Sequence, residues 1–146
     1  MFHSKSRLRL GKKQDVARQM LRNLVTSILL YESVRTTRKR AKVVQPMVDR
    51  VIAEAKRKPA AQAIRSINRI VTDKNACRKV MEVLKQRYVN RSSGFTSLVA
   101  VGSRKGDGAQ LVDLSLMDRE IAAPKKEEKV KAAKTPRTKK AVRAAV

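Results

Sequence analysis

The 146-residue chain carries 36 Lys and Arg against 12 Asp and Glu, a formal net charge of +24, and 42% of its residues are hydrophobic. Such self-repulsion destabilises a compact body unless a polyanion neutralises it, while the apolar content excludes a wholly disordered basic protein. The single cysteine excludes an internal disulfide and a cysteine-based zinc site, and no apolar run is long enough to span a membrane.

The first 13 residues predict an extended basic arm, because they lack helical periodicity and no apolar signal-peptide core follows them. Its basic residues are His3, Lys5, Arg7, Arg9, Lys12 and Lys13. From Gln14 apolar residues recur at three- and four-residue steps, which predicts a helix with one buried stripe. The stripe consists of Val16, Met20, Leu21, Leu24, Val25, Ile28 and Leu29. Arg18, Arg22 and Asn23 fall off it and stay available to a partner.

A strand and a second helix follow. The β-branched run Ser33–Thr37 predicts the strand, and Thr37 is a suitable N-cap for the helix. Pro46 should kink or interrupt this helix, and Pro59 ends it. The predicted buried face consists of Ala41, Val44, Val48, Val51, Ile52 and Ala55.

Two more helices and a hairpin complete the predicted fold. Ala60 to Ile70 predicts the third helix, and Thr72-Asp73 caps a fourth whose inward residues are Ala76, Cys77, Val80, Leu84 and Tyr88. Two β-rich runs, 95–101 and 110–116, flank a glycine-rich loop and predict an antiparallel hairpin. We therefore expect an α/β (α+β) domain over residues 1–120 and a disordered basic tail rich in Lys and Ala over residues 121–146.

The sequence offers almost no constellation for catalysis. The one histidine, His3, lies in the predicted arm, where contact with phosphate is favoured over catalysis, and the carboxylates are scattered. The loop Gly102–Gly108 lacks the Gly-Lys-Ser/Thr ending of a phosphate-binding loop and joins strand to strand. We expect no catalytic residue, metal, cofactor, small-molecule substrate or membrane partner.

Three groups of cations predict a nucleic-acid partner. They lie in the arm, at the strand-to-helix turn and at the hairpin tip. The group at the turn consists of Arg35, Arg38, Lys39, Arg40 and Lys42, and the group at the hairpin tip consists of Arg104 and Lys105. Helix starts suit phosphate, and arms and loop tips can enter grooves that a globular surface cannot. Aromatic residues make up only 3% of the chain, too few for base-stacking platforms, which favours structured RNA bound through its backbone and shape.

Several motifs resemble the bacterial large-subunit ribosomal protein seventeen family, in collinear order from residue 1 to about 117. They include Leu21-Arg22-Asn23-Leu24, Thr36-Thr37 and the hairpin residues Arg104, Gly106 and Asp107. The other matching residues are His3, Lys5, Leu10-Gly11, Thr26-Ser27, Ala41-Lys42, Pro46, Arg87-Tyr88, Arg91, Gly94 and Gly102.

The resemblance implies helices packed on one face of a small three-stranded mixed sheet. It implies a structural role on the large ribosomal subunit in the cytoplasm, binding 23S ribosomal RNA near the nascent-chain tunnel exit beside neighbouring large-subunit proteins. The residues it implies to be RNA-facing are His3, Lys5, Arg22, Asn23, Thr36, Thr37, Arg91 and Arg104.

The chain departs from the family pattern at its ends and in the hairpin. Phe2 and Ser4 stand where arginines are usual, Ser103 replaces a usual proline, and the tail has no counterpart in short family members. A DNA-compacting protein, suggested by the basic tail, and an RNA-modifying enzyme remain the alternatives. Sedimentation with the large subunit after DNase treatment, or turnover on isolated ribosomal RNA, would separate them.

Overall fold

The computed structural model describes residues 10–118, which form four helical segments and a three-stranded sheet. The helices are α1 (Gln14–Tyr31), α2 (Arg38–Arg57), α3 (Ala60–Asn68) and α4 (Lys74–Lys79), and α4 continues through a π-helical turn (Val80–Leu84) into α5 (Lys85–Arg87). The strands are β1 (Ser33–Thr37), β2 (Thr96–Ser103) and β3 (Gln110–Leu116). The predicted arm residues His3, Lys5, Arg7 and Arg9, and the predicted tail, lie outside the described residues.

The sheet has the strand order β1-β3-β2, and both strand pairs are antiparallel. The predicted hairpin is therefore confirmed, but the expectation of a mixed sheet is wrong. β1 and β2 do run in the same direction, but each hydrogen-bonds to β3, which lies between them, and not to the other. Three strands thus form a sheet without any parallel pair.

The helices cover one face of this sheet, which confirms the predicted α+β class. On the central strand, Val112, Leu114 and Leu116 are buried, whereas Asp113 and Ser115 between them are partly exposed on the opposite face. α2 packs against all three strands, and its predicted buried face is confirmed at every position. Pro46 lies on the exposed side of α2, and the helix continues through it without interruption.

The predicted stripe of α1 is correct only for its second half. Val25, Ile28 and Leu29 are buried, but Val16 is 56% exposed. Helical periodicity identifies residues that share a face, whereas burial also requires a neighbour that extends far enough to cover them. The first turns of α1 project beyond the buried cluster, so Val16 remains on the surface.

Glu32 forms the junction between α1 and β1. It has the left-handed φ of 61°, and its main-chain oxygen accepts a hydrogen bond from the Leu116 N–H at 2.8 Å. Its carboxylate lies 2.7 Å from Lys79 Nζ and 3.0 Å from Arg87 Nη1. This contact joins α1, α4 and α5 at the end of the sheet where β1 begins.

Within residues 10–118, no helix combines the length and the apolar character needed to cross a membrane.

Candidate nucleic-acid interface

The turn from β1 into α2 places a group of cations at one end of the sheet. Thr37 occupies the N-cap position, as predicted, in an extended conformation, but its side chain makes no capping hydrogen bond. The first turns of α2 then present Arg38, Lys39, Arg40 and Lys42, all exposed except Arg40, which is half-buried. Positive side chains and the positive end of the helix dipole therefore coincide.

The hairpin tip lies at the same end, because β3 begins and β2 ends there. Arg104 Nε donates to Asp107 Oδ1 at 2.9 Å, and Arg104 Nη2 bonds Asp107 Oδ2. The bonds from Arg104, together with a bond from the Ala109 N–H, lower the pKa of Asp107 to about 2. Asp107 is thus ionised at neutral pH and holds Arg104 against its own loop. Lys105, in the same turn, is exposed and has no ion pair within residues 10–118.

Two surface cavities connect the hairpin and the arm to the start of α2. One, of about 520 Å³, has walls from both Lys39 and Lys42 on α2 and Ala109 and Gln110 at the base of the hairpin. The Arg38 guanidinium also donates to Gln110 Oε1 at 3.1 Å across this junction. The other, of about 610 Å³, joins the arm and the start of α1 to the first half of α2, with Lys12, Arg18 and Val43 among its walls. We call the end of the protein that carries residues 12 and 13, the starts of α1 and α2 and the hairpin tip the basic end. Its cations are Lys12, Lys13, Arg18, Arg38, Lys39, Arg40, Lys42, Arg104 and Lys105.

Most cations of the basic end have no carboxylate partner within the described part of the chain. Only Arg18, 3.4 Å from Asp15, and Arg104 form ion pairs there. At the other end of the sheet, by contrast, Glu32 pairs with both Lys79 and Arg87. Seven of the nine cations of the basic end are therefore uncompensated within residues 10–118.

Five other predicted residues are not among the cations of the basic end. Arg22 is half-buried, and its Nε donates to the main-chain oxygen of Ile70 at 3.2 Å, so it holds the loop after α3 against α1. Asn23 is exposed on α1, and Arg35 pairs with Asp113 at 2.7 Å on the uncovered face of the sheet. The remaining two are Thr36, which is buried, and Arg91, which pairs with Asp118 at the opposite end.

A further group of cations was not predicted from the sequence. Arg50, Arg65 and Arg69 line a groove between α2 and α3. Arg65 and Arg69 have the i, i+4 spacing that places them on one side of a helix, which is a signal that the sequence contains. Arg50 belongs to another helix, so only the packing of α2 against α3 reveals the group.

Comparisons with known proteins give consistent matches. The family model for ribosomal protein L17 matches residues 20–117. The chain is 36% identical to the large ribosomal subunit protein bL17 of Syntrophotalea carbinolica over 121 residues, which cover 83% of the chain and 77% of that relative. It is 39% identical to the bL17 of Desulforudis audaxviator over 109 residues, covering 75% and 96% respectively. It is 37% identical to the bL17 of Myxococcus xanthus over 125 residues, covering 85% and 89%.

Proposed function

The chain belongs to the ribosomal protein L17 family, and we propose that its basic end binds 23S ribosomal RNA through phosphate and shape contacts. Membership makes it a structural constituent of the large ribosomal subunit that serves translation, and not an enzyme. It is therefore a component of ribosomes in the cytoplasm. The finer proposal includes a position near the nascent-chain tunnel exit, beside other large-subunit proteins, and a contribution to subunit assembly.

The convergence of uncompensated cations at the basic end supports RNA binding. Lys12, Lys39 and Lys105 come from the arm, the start of α2 and the hairpin tip, and none lies within 4 Å of a carboxylate of residues 10–118. Lysines in such a setting neutralise phosphates and release counterions, which gives affinity with strong salt dependence. Of the three aromatic residues within residues 10–118, Tyr88 and Phe95 pack on each other in the core, and only Tyr31 is exposed. A single exposed ring is too few for a base-stacking platform, which favours contact through charge and shape.

A triple variant of these lysines tests the proposal. K12Q/K39Q/K105Q removes one cation from each segment without touching the core. If each lysine neutralises one phosphate, the slope of log affinity against log salt for 23S ribosomal RNA should become shallower by about 2–3. The variant should also be depleted from large subunits separated by sedimentation.

The matched control is K74Q/R78Q/K85Q, which removes the same charge from α4 and α5. Lys74 and Arg78 are exposed and Lys85 half-buried, and none has an ion pair within residues 10–118. We expect the control to retain most of the wild-type slope. Equal weakening by both variants would mean that only bulk charge matters, and a wild-type affinity that is insensitive to salt would refute the proposal.

A further inference from the structure

The groove between the second half of α2 and α3 holds four cations around one carboxylate. Its volume is about 320 Å³, and its charged walls are Arg50, Glu54, Lys58, Arg65 and Arg69. We propose that this groove is a second site for the phosphate backbone of ribosomal RNA, which binds nucleotides distinct from those at the basic end. This inference rests on the proposed function but uses a different surface.

The ion-pairing pattern leaves the arginines of the groove available. Lys58 Nζ lies 3.3 Å from Glu54 Oε2 and donates to Ser66 Oγ at 3.1 Å, so the single carboxylate is already engaged. The side chains of Arg50, Arg65 and Arg69 are exposed and have no ion pair or hydrogen bond within the described range. Like charges one helical turn apart, as at positions 65 and 69, destabilise a helix unless an anion lies between them.

The chemistry of the groove favours phosphate over an acidic protein. A guanidinium presents a planar fork of N–H groups that matches phosphate oxygens in a bidentate manner, and three of the four cations are arginines. Among the described residues that line the groove, Ile70 has the only large apolar side chain. Protein interfaces rely on buried aromatic or aliphatic anchors, and this groove provides no pocket for them.

The groove is electrostatically separate from the basic end. Along α2, Arg50 lies twelve residues beyond Arg38 and eight beyond Lys42, the last basic-end cation of this helix, which corresponds to about 18 and about 12 Å along the helix axis. The Debye length at physiological ionic strength is about 8 Å, so charges at the two surfaces act nearly independently. Both surfaces lie on α2, so this helix fixes the distance between the two stretches of RNA backbone.

The variant R50Q/R65Q/R69Q tests whether the groove binds RNA. We expect its salt slope for 23S ribosomal RNA to fall by about 2–3, and the effect to add to that of K12Q/K39Q/K105Q. The control is again K74Q/R78Q/K85Q, and thermal unfolding followed by circular dichroism establishes that all variants fold. A groove variant that behaves like the control, while the basic-end variant is weakened, overturns the groove site alone. Wild-type protein that fails to bind the RNA overturns the proposed function itself.

Photo-crosslinking from single cysteines then identifies what each surface contacts in assembled large subunits. R65C and K105C carry the crosslinker, and C77A removes the natural cysteine, which is buried. Crosslinks from the two positions to different 23S nucleotides support the proposal. Crosslinks to the same nucleotides, to protein alone, or from K105C only would each overturn it.

Discussion

Replacing Glu32 with glutamine should destabilise the fold by about 2–3 kcal/mol. The Glu32 residue is 8% exposed, and its carboxylate contacts two cations, Lys79 and Arg87, at 2.7 and 3.0 Å. A glutamine oxygen can accept from only one of them, and its amide group then faces the other cation. The variant therefore removes the counter-charge and one hydrogen bond but preserves the shape of the side chain.

The magnitude follows from the burial of the three groups. A hydrogen bond to a charged group contributes about 1.5–3 kcal/mol, and loss of one partner of a fully buried ion pair costs about 3–5 kcal/mol. The Lys79 side chain is 26% exposed and the Arg87 side chain 13%, so water can partly solvate the cations left behind. This places the cost at about 2–3 kcal/mol, or a fall in Tm of roughly 10 °C for a domain of this size.

The effect should depend on pH. Burial by itself would raise the pKa of Glu32, but hydrogen bonds from Lys79 and Arg87, with their charges, outweigh it and hold the pKa below its ordinary value of 4.5. A carboxyl group whose pKa is lower in the folded than in the unfolded chain stabilises the fold fully above the unfolded value. That contribution is lost as the pH falls through the folded-state pKa. The difference between wild type and E32Q should therefore shrink below about pH 4.5.

Urea unfolding followed by circular dichroism at pH 7 and pH 3 measures both effects. The matched control is E82Q, because Glu82 is exposed and has no ion pair or hydrogen bond within residues 10–118. We expect E82Q to change the free energy of unfolding by no more than about 0.5 kcal/mol. The reasoning is refuted if E32Q costs no more than E82Q at pH 7, or if its cost is the same at pH 3.

Three further substitutions test the core and the backbone, and urea unfolding measures each of them. Leu114 is fully buried on the central strand, so L114A should cost about 3–4 kcal/mol, and a loss below 1 kcal/mol would contradict the packing. The Tyr88 hydroxyl donates to the main-chain oxygen of Met117, so Y88F should cost about 1–2 kcal/mol by leaving that oxygen without this donor; an unchanged midpoint would argue against the bond. Gly94 has a φ of +70° and open space where a Cβ would lie, so G94A should cost about 1 kcal/mol from backbone strain alone, and a neutral result would exclude that strain.

The helical core could be predicted from the sequence because helical periodicity reports directly which residues share a face. In α2 this identified every residue of the buried face, and in α4 and its continuation it identified Cys77, Leu84 and Tyr88 as buried. The same argument failed for Val16, because periodicity gives the direction of a side chain but not the length of its neighbour. Burial at the end of a helix depends on tertiary packing.

Strand pairing was predictable only where it is local. The glycine-rich loop between β2 and β3 indicated their antiparallel pairing, and the bounds of β1 were correct. The partner of β1 is about 80 residues away in sequence, since Val34 pairs with Leu114, and no local pattern specifies it. The prediction of a mixed sheet came from the family resemblance, and the observed register corrects it.

For the interface, the sequence indicated the groups of cations but not their arrangement. Topology brings the start of α2 beside the hairpin base, where Arg38 contacts Gln110, and no spacing in the sequence encodes that contact. The position of Arg22 off the apolar stripe predicts that it is available to a partner, and the family resemblance implies that it faces RNA. The structure shows that it also contacts the main chain at Ile70, a structural role that residue type alone does not reveal.

The placement of the carboxylates explains how so basic a chain can form a compact fold. Several of them join segments that are distant in sequence: Glu32 bonds Lys79 and Arg87, and Asp49 accepts from the Phe95 N–H at 3.1 Å. Because negative charge stabilises these tertiary contacts, it does not compensate the lysines of the basic end or the arginines of the α2–α3 groove. Repulsion at those two surfaces therefore remains in the protein alone, and a bound polyanion would relieve it at both. If both surfaces bind RNA, the free energy of unfolding should rise on binding, and the rise should be smaller in a variant of either surface than in K74Q/R78Q/K85Q.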